Sequence, residues 1–558
     1  HVDQKLHIFW RASVGLDYYD FMLISAPMLG KEVVFYLERE HVETNLGAKI
    51  EISYRVESPG EADQVSAATS FHISSRDGVG VGPLRIMGAR FNPGIWRGTS
   101  TPRMLTALHD ETLEPMRAEW RYEDEQEWTT ASEWIDDKPW LRLHVRNNSE
   151  TWECRTANII GSGINTTQCA AVALRDEVLG DSGPEVDMVA WGNPEVGGEL
   201  NDNLIALKQV AEVTAAGFAF AARLRDGNLM CWGDPLQGGS PAVINGDFVQ
   251  VRSNLHALVA RDRDGELFAW GADAGVPVPE RVLQYKDYVD LYGSWGAFAA
   301  RRASGHVMAW GNPAYGGQLQ PGQENYDDIV DLVGNSGGFA ALRVNGNRRS
   351  VIAWGTAGNI PSEIANLTNI RRVCAATSDA FCVLLETGEV KAWPKTTVGG
   401  QIPDDIEQVK NVVEVTSTGY AFCARLSSGR VVAWGDPHHG ATLNDDVLGR
   451  SDIVQVTGNY QAFAALCRDG TVLAWGHAST GGDTSRVADR LVNVRAVYSS
   501  MHAFVAVTAD GQVVTWGSQT GAGNSDEAQP ELEGRVTTGR RLSTREARAL
   551  AQNRKLDG

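Results

Sequence analysis

The residues that could perform chemistry are few in this chain, and the clearest of them are the adjacent histidines His438 and His439. Imidazole side chains are common ligands of zinc. Adjacent residues of a strand point to opposite faces, and no second histidine pair stands at the spacing of a metal site. The pattern therefore favours a solvated loop, and we predict neither a metal nor a cofactor.

Pairs of acidic residues recur along the chain, but they lack the Asp-x-Asp-x-Asp-Gly spacing of a calcium loop. We interpret them as surface charge, with weak cation binding as the alternative. The sequence contains no His-Glu-x-x-His and no phosphate-binding loop. We therefore predict that the protein is not an enzyme, with a lyase or glycosidase as the minor alternative. The acidic pairs are Asp327 and Asp328, Asp404 and Asp405, and Asp445 and Asp446.

Charge and hydropathy narrow the class of partner. The 558 residues include 50 basic and 70 acidic ones, which gives a formal charge of −20. So acidic a surface opposes the counterion release that drives binding to a phosphate backbone, and we predict no nucleic-acid partner. No apolar run reaches the roughly 18 residues of a membrane-spanning helix, so we predict no membrane span.

The cysteines form no Cys-x-x-Cys pair, and several of them lie within apolar strand patterns. We therefore predict small buried core residues, with disulfides as the alternative. The seven cysteines are Cys154, Cys169, Cys231, Cys374, Cys382, Cys423 and Cys467.

A tryptophan repeat indicates the architecture that must position these residues. Nine tryptophans follow one another at intervals of 38 to 44 residues, and eight of them are followed by glycine. Seven copies carry a glycine five residues before the tryptophan and a large apolar residue twelve before it. Such a period, with short strands between glycines, is typical of a β-propeller. The nine are Trp191, Trp232, Trp270, Trp310, Trp354, Trp393, Trp434, Trp475 and Trp516.

Each repeat unit predicts three strands, as residues 411–415, 420–426 and 430–434 show. The second and third strands are joined by a short hairpin around Gly429, where a positive φ is expected. After the tryptophan comes Gly-Asn-Pro or Gly-Asp-Pro, which begins a tight turn. We predict that the repeat tryptophans are buried structural residues, because they belong to the constant frame.

The motif Gly-x-Val-x-Ala-Trp-Gly, in units that contain Ala-Phe-Ala-Ala-Leu, resembles the repeats of the regulator of chromosome condensation family. The short unit is similar to the bacterial form, including the β-lactamase inhibitory protein with three-stranded blades. The resemblance covers about residues 155–520 and implies an all-β, multi-bladed propeller. Because the family usually closes with seven blades and nine units are present here, we expect seven to nine blades.

The first part of the chain has a different pattern. Residues 33–39, 48–56 and 70–74 alternate apolar and polar side chains, which is typical of half-buried strands. This segment resembles the immunoglobulin-like modules of large bacterial surface proteins. We predict such a β-sandwich at residues 1–80, followed by a small Trp-rich β module or collar at residues 81–153.

We predict the propeller at residues 154–520 and a polar, then basic, tail at residues 521–558. Ser543 and Glu546 form a capping box, which predicts a short helix in this tail. The tryptophans of the collar are interpreted as packing anchors, with sugar binding as the alternative. They are Trp96, Trp120, Trp128, Trp134 and Trp140.

Two classes of function fit these features. The first is a non-enzymatic recognition module that binds a protein or a glycan through the variable loops after the tryptophans. The second, implied by the family resemblance, is a nucleotide-exchange factor for a small GTPase, which requires a wedge-like insertion. The largest excursion here is Arg175–Val186. The candidate contact residues are Pro194, Glu195, Leu236, Gln237, Ala314, Tyr315, His438 and His439.

The resemblances also predict the source and the location of the protein. Both point to a bacterial protein that is secreted or attached to the cell surface and that targets a host. The cytoplasm of a host cell is the alternative location.

Overall fold

The computed structural model describes residues 4–13, 17–24, 35, 48–60, 62–72, 79–91, 101–180, 183–273, 275–395 and 398–551. Strands dominate these residues, and the helices are short. None of the described helices has the length and apolar character needed to cross a lipid bilayer. The strands before the repeats are β1 (Lys5–Ala12), β2 (Tyr18–Leu23), β3 (Lys49–Glu57), β4 (Gln64–Val65), β5 (Thr69–His72), β6 (Leu84–Met87), β7 (Met104–His109), β8 (Ala118–Tyr122), β9 (Thr129–Ala131), β10 (Glu133–Ile135), β11 (Leu143–Arg146) and β12 (Thr151–Cys154).

Nine antiparallel sheets follow, one for each repeat tryptophan, and we number them blade 1 to blade 9. Blade 1 carries an extra hairpin, and blade 2 gains a fourth short strand. Blade 1 consists of β13 (Ile159–Gly161), β14 (Ala170–Leu174) and β17 (Met188–Gly192), with the extra hairpin β15 (Val178–Gly180) and β16 (Gly183–Glu185). Blade 2 consists of β18 (Val210–Ala215), β19 (Ala219–Leu224), β20 (Leu229–Gly233) and β21 (Val243–Ile244). Blade 3 consists of β22 (Phe248–Ser253), β23 (Ala257–Asp262) and β24 (Leu267–Gly271), and blade 4 consists of β25 (Tyr288–Gly293), β26 (Ala297–Arg302) and β27 (Val307–Gly311).

Blades 5 to 9 repeat this three-stranded plan. Blade 5 consists of β28 (Ile329–Asn335), β29 (Gly338–Asn345) and β30 (Arg348–Gly355), and blade 6 of β31 (Ile370–Ala375), β32 (Phe381–Leu385) and β33 (Val390–Trp393). Blade 7 consists of β34 (Val412–Ser417), β35 (Ala421–Leu426) and β36 (Val431–Gly435), and blade 8 of β37 (Ile453–Gly458), β38 (Ala462–Cys467) and β39 (Val472–Gly476). Blade 9 consists of β40 (Val494–Ser499), β41 (Ala503–Thr508) and β42 (Val513–Gly517).

Short helices connect several blades and end the chain. Between blades lie α1 (Asp202–Ile205), α2 (Glu280–Leu283), α3 (Ser362–Ala365), α4 (Asp404–Glu407) and α5 (Asp445–Leu448). One-turn 3-10 helices occur at Pro194–Val196, Pro313–Tyr315, Gln323–Asn325, Val398–Gly400, Pro437–His439 and Ala478–Thr480. After blade 9 come α6 (Gln529–Leu532), β43 (Gly539–Arg541) and α7 (Thr544–Ala551).

The nine blades form one closed ring. The first strand of each blade contacts the first strand of the next, and β40 of blade 9 contacts β13 of blade 1. These strands approach closely because small residues face the neighbouring backbone. A Cβ on Gly458 would collide with the carbonyl oxygen of Ser417 in blade 7. The all-β, multi-bladed propeller is confirmed, and the number of blades is nine.

The repeat tryptophans join each blade to the one before it. Each indole Nε1 donates a hydrogen bond of 2.9 to 3.4 Å to a backbone carbonyl in the turn after the preceding blade. Trp191 of blade 1 closes the circle by donating to Ala522, which follows blade 9, at 3.0 Å. The nine side chains are at most 5% exposed. Their predicted structural role is confirmed.

Residues 79–91 and 101–154, which we call the collar, form two small sheets. The C-terminal strand β43 adds to one of them beside β12. Trp120 is fully buried and stacks on Trp134 at 5.9 Å, as packing anchors do. Buried Arg90 forms an ion pair with Asp136 at 2.9 Å. Trp96 lies outside the described residues.

The described part of the N-terminal segment is a single sheet in the order β2-β1-β3-β4, with β5 also paired to β3. The predicted strands at residues 48–56 and 70–74 coincide with β3 and β5, within a few residues. The predicted strand at residues 33–39 lies outside the described residues except for Phe35. The immunoglobulin-like sandwich and the predicted domain limits therefore stay predictions.

The segment after residue 521 differs from the predicted polar tail. Ala522, Ala528, Leu532 and Val536 are buried against blades 1 and 9. The sequence hides this role, because isolated apolar residues among polar ones give no clear period. The helix beyond is confirmed with both hydrogen bonds of the capping box: the amide of Ser543 donates to the Glu546 carboxylate at 2.8 Å, and the amide of Glu546 donates to Ser543 Oγ at 3.3 Å.

All seven cysteines are free and buried, as the sequence predicts. Cys154 belongs to the collar core, and Cys467 lies in the second strand of blade 8. Burial raises the pKa of the Cys467 thiol to about 12. A thiol with so high a pKa is protonated at neutral pH and is a poor nucleophile.

Candidate recognition face

The two ends of the ring differ. At one end, which we call the open face, the turn after the third strand lies beside the loop between the first two strands. In blade 7 the Asp436 amide donates to the Tyr420 carbonyl at 3.1 Å. The collar contacts the opposite end, where Arg85 Nη1 donates to the Arg468 carbonyl in a hairpin of blade 8 at 3.1 Å. We call that end the collar face.

The turns of the open face share one backbone frame. In blade 7, Asp436 Oδ1 accepts a hydrogen bond from the His438 amide at 2.9 Å, and Pro437 fixes the first turn residue. Gly440 ends the turn at φ 93°, in the left-handed region that favours glycine. The same side-chain cap recurs at Asn193, Asp234 and Asn312, with distances of 2.8 to 3.0 Å.

This frame divides the predicted contact residues into two groups. The first two residues of the turn project into solvent, and Leu236 is 78% exposed. The third residue folds back and is half-buried. Gln237 bonds to His256 at 2.6 Å, and His439 bonds to Asp436 at 2.9 Å. The exposed group is Pro194, Glu195, Leu236, Ala314 and His438, and the half-buried group is Gln237, Tyr315 and His439.

The two adjacent histidines are therefore not paired with each other. His439 belongs to a row of rings in which its centroid lies 4.7 Å from Tyr420 and 5.6 Å from Tyr460. His502 continues the row at 5.6 Å from Tyr460. Burial lowers the pKa of His439, although Asp436 opposes the shift, and it lowers the pKa of His502 to about 4. Both imidazoles are neutral at physiological pH.

A circumferential belt of backbone hydrogen bonds makes the open face rigid. The amide in the first loop of one blade donates to a carbonyl in the first loop of the next. Examples are Gly217 to Leu255 at 3.0 Å, Gly419 to Tyr460 at 2.8 Å and Tyr460 to Met501 at 3.0 Å. Sequence reasoning missed the belt, because it uses backbone groups that every residue has.

The predicted acidic pairs lie at the surface of the blades. Asp445 and Asp446 are exposed at the start of α5, as a surface-charge role predicts. In the part of the chain that the structure describes, one group has ligand atoms within 4.8 Å of one another, and it is Asp452, Cys467 and Asp469. Both carboxylates of this group are paired with the Arg450 guanidinium.

Arg450 occupies the centre of this acidic group. Its Nε lies 2.7 Å from Asp452, and its Nη2 lies 2.8 Å from Asp469. A bound arginine supplies the positive charge that a metal ion would bring. The arrangement is therefore a structural ion-pair network.

The excursion Arg175–Val186 forms the hairpin β15–β16 on the collar face. Its base is fixed, because Glu177 pairs with Arg142 of the collar and with Arg225 of blade 2, both at 2.7 Å. The excursion and the predicted contact residues therefore lie at opposite ends of the ring.

No family model and no curated protein matches the chain. Among solved structures it is similar to yeast RCC1 (Prp20), crystallised with Kap60, at 13% identity and a TM-score of 0.32 over 61% of this chain and 90% of that one. Human WBSCR16 is 13% identical, with a TM-score of 0.29 over 58% of this chain and 86% of that one. The ectodomain of the Physcomitrella patens receptor kinase CR4 is 14% identical, with a TM-score of 0.31 over 47% of this chain and 71% of that one. Structural similarity at such low TM-scores does not support an inference about function.

Proposed function

We propose that this chain is a non-enzymatic recognition module that binds another protein through its open face. One observation carries the proposal. The second turn residue has the same backbone position and the same amide hydrogen bond in four blades, yet its side chain changes from acid to large apolar, small apolar and imidazole. These residues are Glu195, Leu236, Ala314 and His438.

A constant frame with variable exposed tips is the usual division between scaffold and recognition surface. The belt of backbone bonds keeps the tips in place, so little conformational entropy is lost when a partner binds. The collar lies on the other face and leaves these tips exposed. An exposed leucine beside charged and polar tips suits a protein interface, which combines apolar contacts with a polar rim. A glycan ligand remains the alternative.

The exchange-factor hypothesis gains no support from a specific contact. The hairpin that would have to act as the wedge is tied at its base to Arg142 and Arg225 through Glu177. We retain the bacterial source and the secreted or surface location as proposals that rest on the family resemblances of the sequence.

Photo-crosslinking tests this function directly. A photoreactive phenylalanine analogue replaces Leu236 on the open face or, as the matched control, Leu448 at the end of α5. Both native leucines are exposed, at 78% and 55%. With the full chain in an extract of its own source, position 236 is expected to give a discrete protein adduct and position 448 none. Equal labelling at both positions, or none at 236, would contradict the proposal.

A further inference from the structure

A cavity of about 640 Å³ lies on the collar face, between the collar and the first strands of blades 3 to 7. We call it the channel pocket. Each first strand from blade 2 to blade 9 contains a β-bulge, and a bulge re-aims the side chain of its extra residue. Five such residues line the pocket, and they are Val249, Val289, Val330, Arg371 and Val413.

The channel pocket is open to solvent and is large enough for a small organic ligand. Val289 and Val330 in its lining are 39% and 44% exposed. Ligand pockets in proteins typically have volumes of about 300 to 1,000 Å³. Trp140 of the collar and Tyr292 of blade 4 add flat aromatic surface to the lining.

The lining is basic although the whole chain has a net charge of −20. Among the described residues, eight basic and four acidic side chains line the pocket. The acidic ones are Asp137, Glu212, Asp290 and Asp331. The basic ones are Arg103, Lys138, Arg252, Arg261, Arg301, Arg349, Arg371 and Arg372.

One equivalent position of the first strands differs from blade to blade, and in blades 2 to 6 it holds Glu212, Gln250, Asp290, Asp331 and Arg372. In blades 7 and 8 it holds Glu414 and Gln455, which bind the collar: Glu414 accepts from the Arg103 amide at 2.7 Å, and Gln455 donates to the Met104 carbonyl at 3.0 Å. In blade 6 the same position holds Arg372, opposite Leu384. The collar therefore covers this position in blades 7 and 8 and leaves it facing the pocket in blades 2 to 6, where Arg372 is the one basic residue among three acidic ones.

Carboxylates lie near two of these arginines without forming an ion pair: Asp290 is opposite Arg301 in the strand register, and Asp331 and Glu414 act on Arg372. Neither Arg301 nor Arg372 forms an ion pair with a residue that the structure describes, and Nε of the first and Nη2 of the second are buried without a hydrogen-bond acceptor. Burial and the neighbouring Arg103 guanidinium lower the pKa of Arg372. A buried guanidinium N–H without an acceptor is costly, and an anion in the pocket would remove that cost.

We propose that the channel pocket binds a small anion with more than one phosphate group, such as an oligophosphate or an organic polyphosphate ester. Phosphate oxygens accept hydrogen bonds from several directions, which suits guanidinium groups that converge from the collar and from different blades. The volume exceeds that of a single phosphate. This site is independent of the partner that binds the open face, since the two lie at opposite ends of the ring.

Titration of the full chain with inorganic tripolyphosphate, followed by calorimetry, tests the proposal. We expect one site per chain, weaker binding at higher salt, and a rise in the unfolding temperature with ligand concentration. Arg372→Gln and Arg301→Gln are each expected to weaken binding about tenfold, as the loss of a charge-assisted contact does. The matched control is Arg263→Gln, because the Arg263 side chain is 74% exposed and lies outside the pocket; its affinity is expected to be unchanged.

Two further measurements test whether the variants are folded and whether the ligand must be a phosphate. The unliganded Arg372→Gln protein should unfold no earlier than the wild type, which separates loss of binding from loss of structure. Hexaglutamate is the competing probe, because acidic side chains of a protein could use the same arginines. Absence of tripolyphosphate binding at millimolar concentration, binding that Arg372→Gln leaves intact, or binding of hexaglutamate alone would overturn the proposal.

Discussion

Each repeat tryptophan both packs in the core and donates a directional hydrogen bond to the preceding blade. Trp434 is 1% exposed, stacks on Phe422 with the ring centroids 5.3 Å apart, and donates its indole hydrogen to Gly399 at 3.1 Å. Phenylalanine or leucine could fill part of the same space, but neither could donate that bond. The repeated tryptophan therefore sets the distance and the direction between neighbouring blades.

Two substitutions at Trp434 separate these roles. Trp434→Phe keeps much of the packing but leaves the Gly399 carbonyl without its donor, so we expect a loss of about 1 to 3 kcal/mol. Trp434→Ala adds a cavity, and we expect a loss of about 3 to 5 kcal/mol. Denaturant unfolding measures both values. Leu236→Ala, at a side chain 78% exposed, is the control and should stay within about 0.5 kcal/mol of the wild type; an equally small effect of Trp434→Ala would refute the structural role.

His502 should make the stability depend on pH. Burial lowers its pKa in the folded protein from the ordinary 6.5 to about 4, and a contact with the Ile164 backbone opposes part of the shift. Below pH 6.5 the unfolded chain binds a proton that the folded chain does not, so stability falls as the pH falls from 6.5 to 4, by up to about 3 kcal/mol. His502→Gln should lose less over that window. Parallel pH profiles for both proteins would contradict this assignment.

At the scale of the element, the turns of the open face depend on their glycines. Gly440 has φ 93°, and a Cβ there would lie 2.7 Å from the Phe463 ring of the next blade. Gly449, at the end of α5, has φ −73° and open space around the Cβ position, whose nearest neighbour is 3.4 Å away. Two glycines nine residues apart thus have opposite requirements.

Alanine at these two positions gives a matched prediction. Gly440→Ala should destabilise the protein by about 1 to 3 kcal/mol, because the residue is held in a left-handed conformation and meets the ring. Gly449→Ala should be neutral or stabilise by about 0.4 to 1 kcal/mol, because it restricts the unfolded chain. Thermal unfolding of the two variants side by side is the measurement. If both variants lose the same stability, the turn geometry described above is wrong.

The sequence predicts these elements well where the causes are local. The hairpin at Gly429, the turn at Asp436 and the capping box at Ser543 each follow from a few adjacent residues, and the structure has all three. The sequence does not predict the contacts that join segments far apart along the chain. Arg372 in a channel pocket and Leu532 between blades 1 and 9 carry no local pattern. The sequence also did not predict which turn residues project into solvent, because this depends on contacts with the first loops of the same blade and of the next one.

At the scale of the whole molecule, ring closure depends on the segment after blade 9. Residues 522–536 supply the acceptor for Trp191 and four side chains to the core shared by blades 1 and 9. Deleting residues 522–558 should therefore expose these two blades to rapid amide hydrogen exchange. Deleting residues 544–558 alone removes only half-buried or exposed side chains of the described helix and should leave β13 and β40 protected. Equal protection after both deletions would show that the segment does not close the ring.

The central claim is that nine blades close one ring whose open face is free of the collar. Electron cryomicroscopy of the full chain, viewed along the ring axis and from the side, tests it most directly. We expect nine radial densities of equal spacing, continuous around the circle, with additional collar density on a single face. Seven or eight blades with the remaining repeats outside the ring, or collar density across both faces, would contradict it.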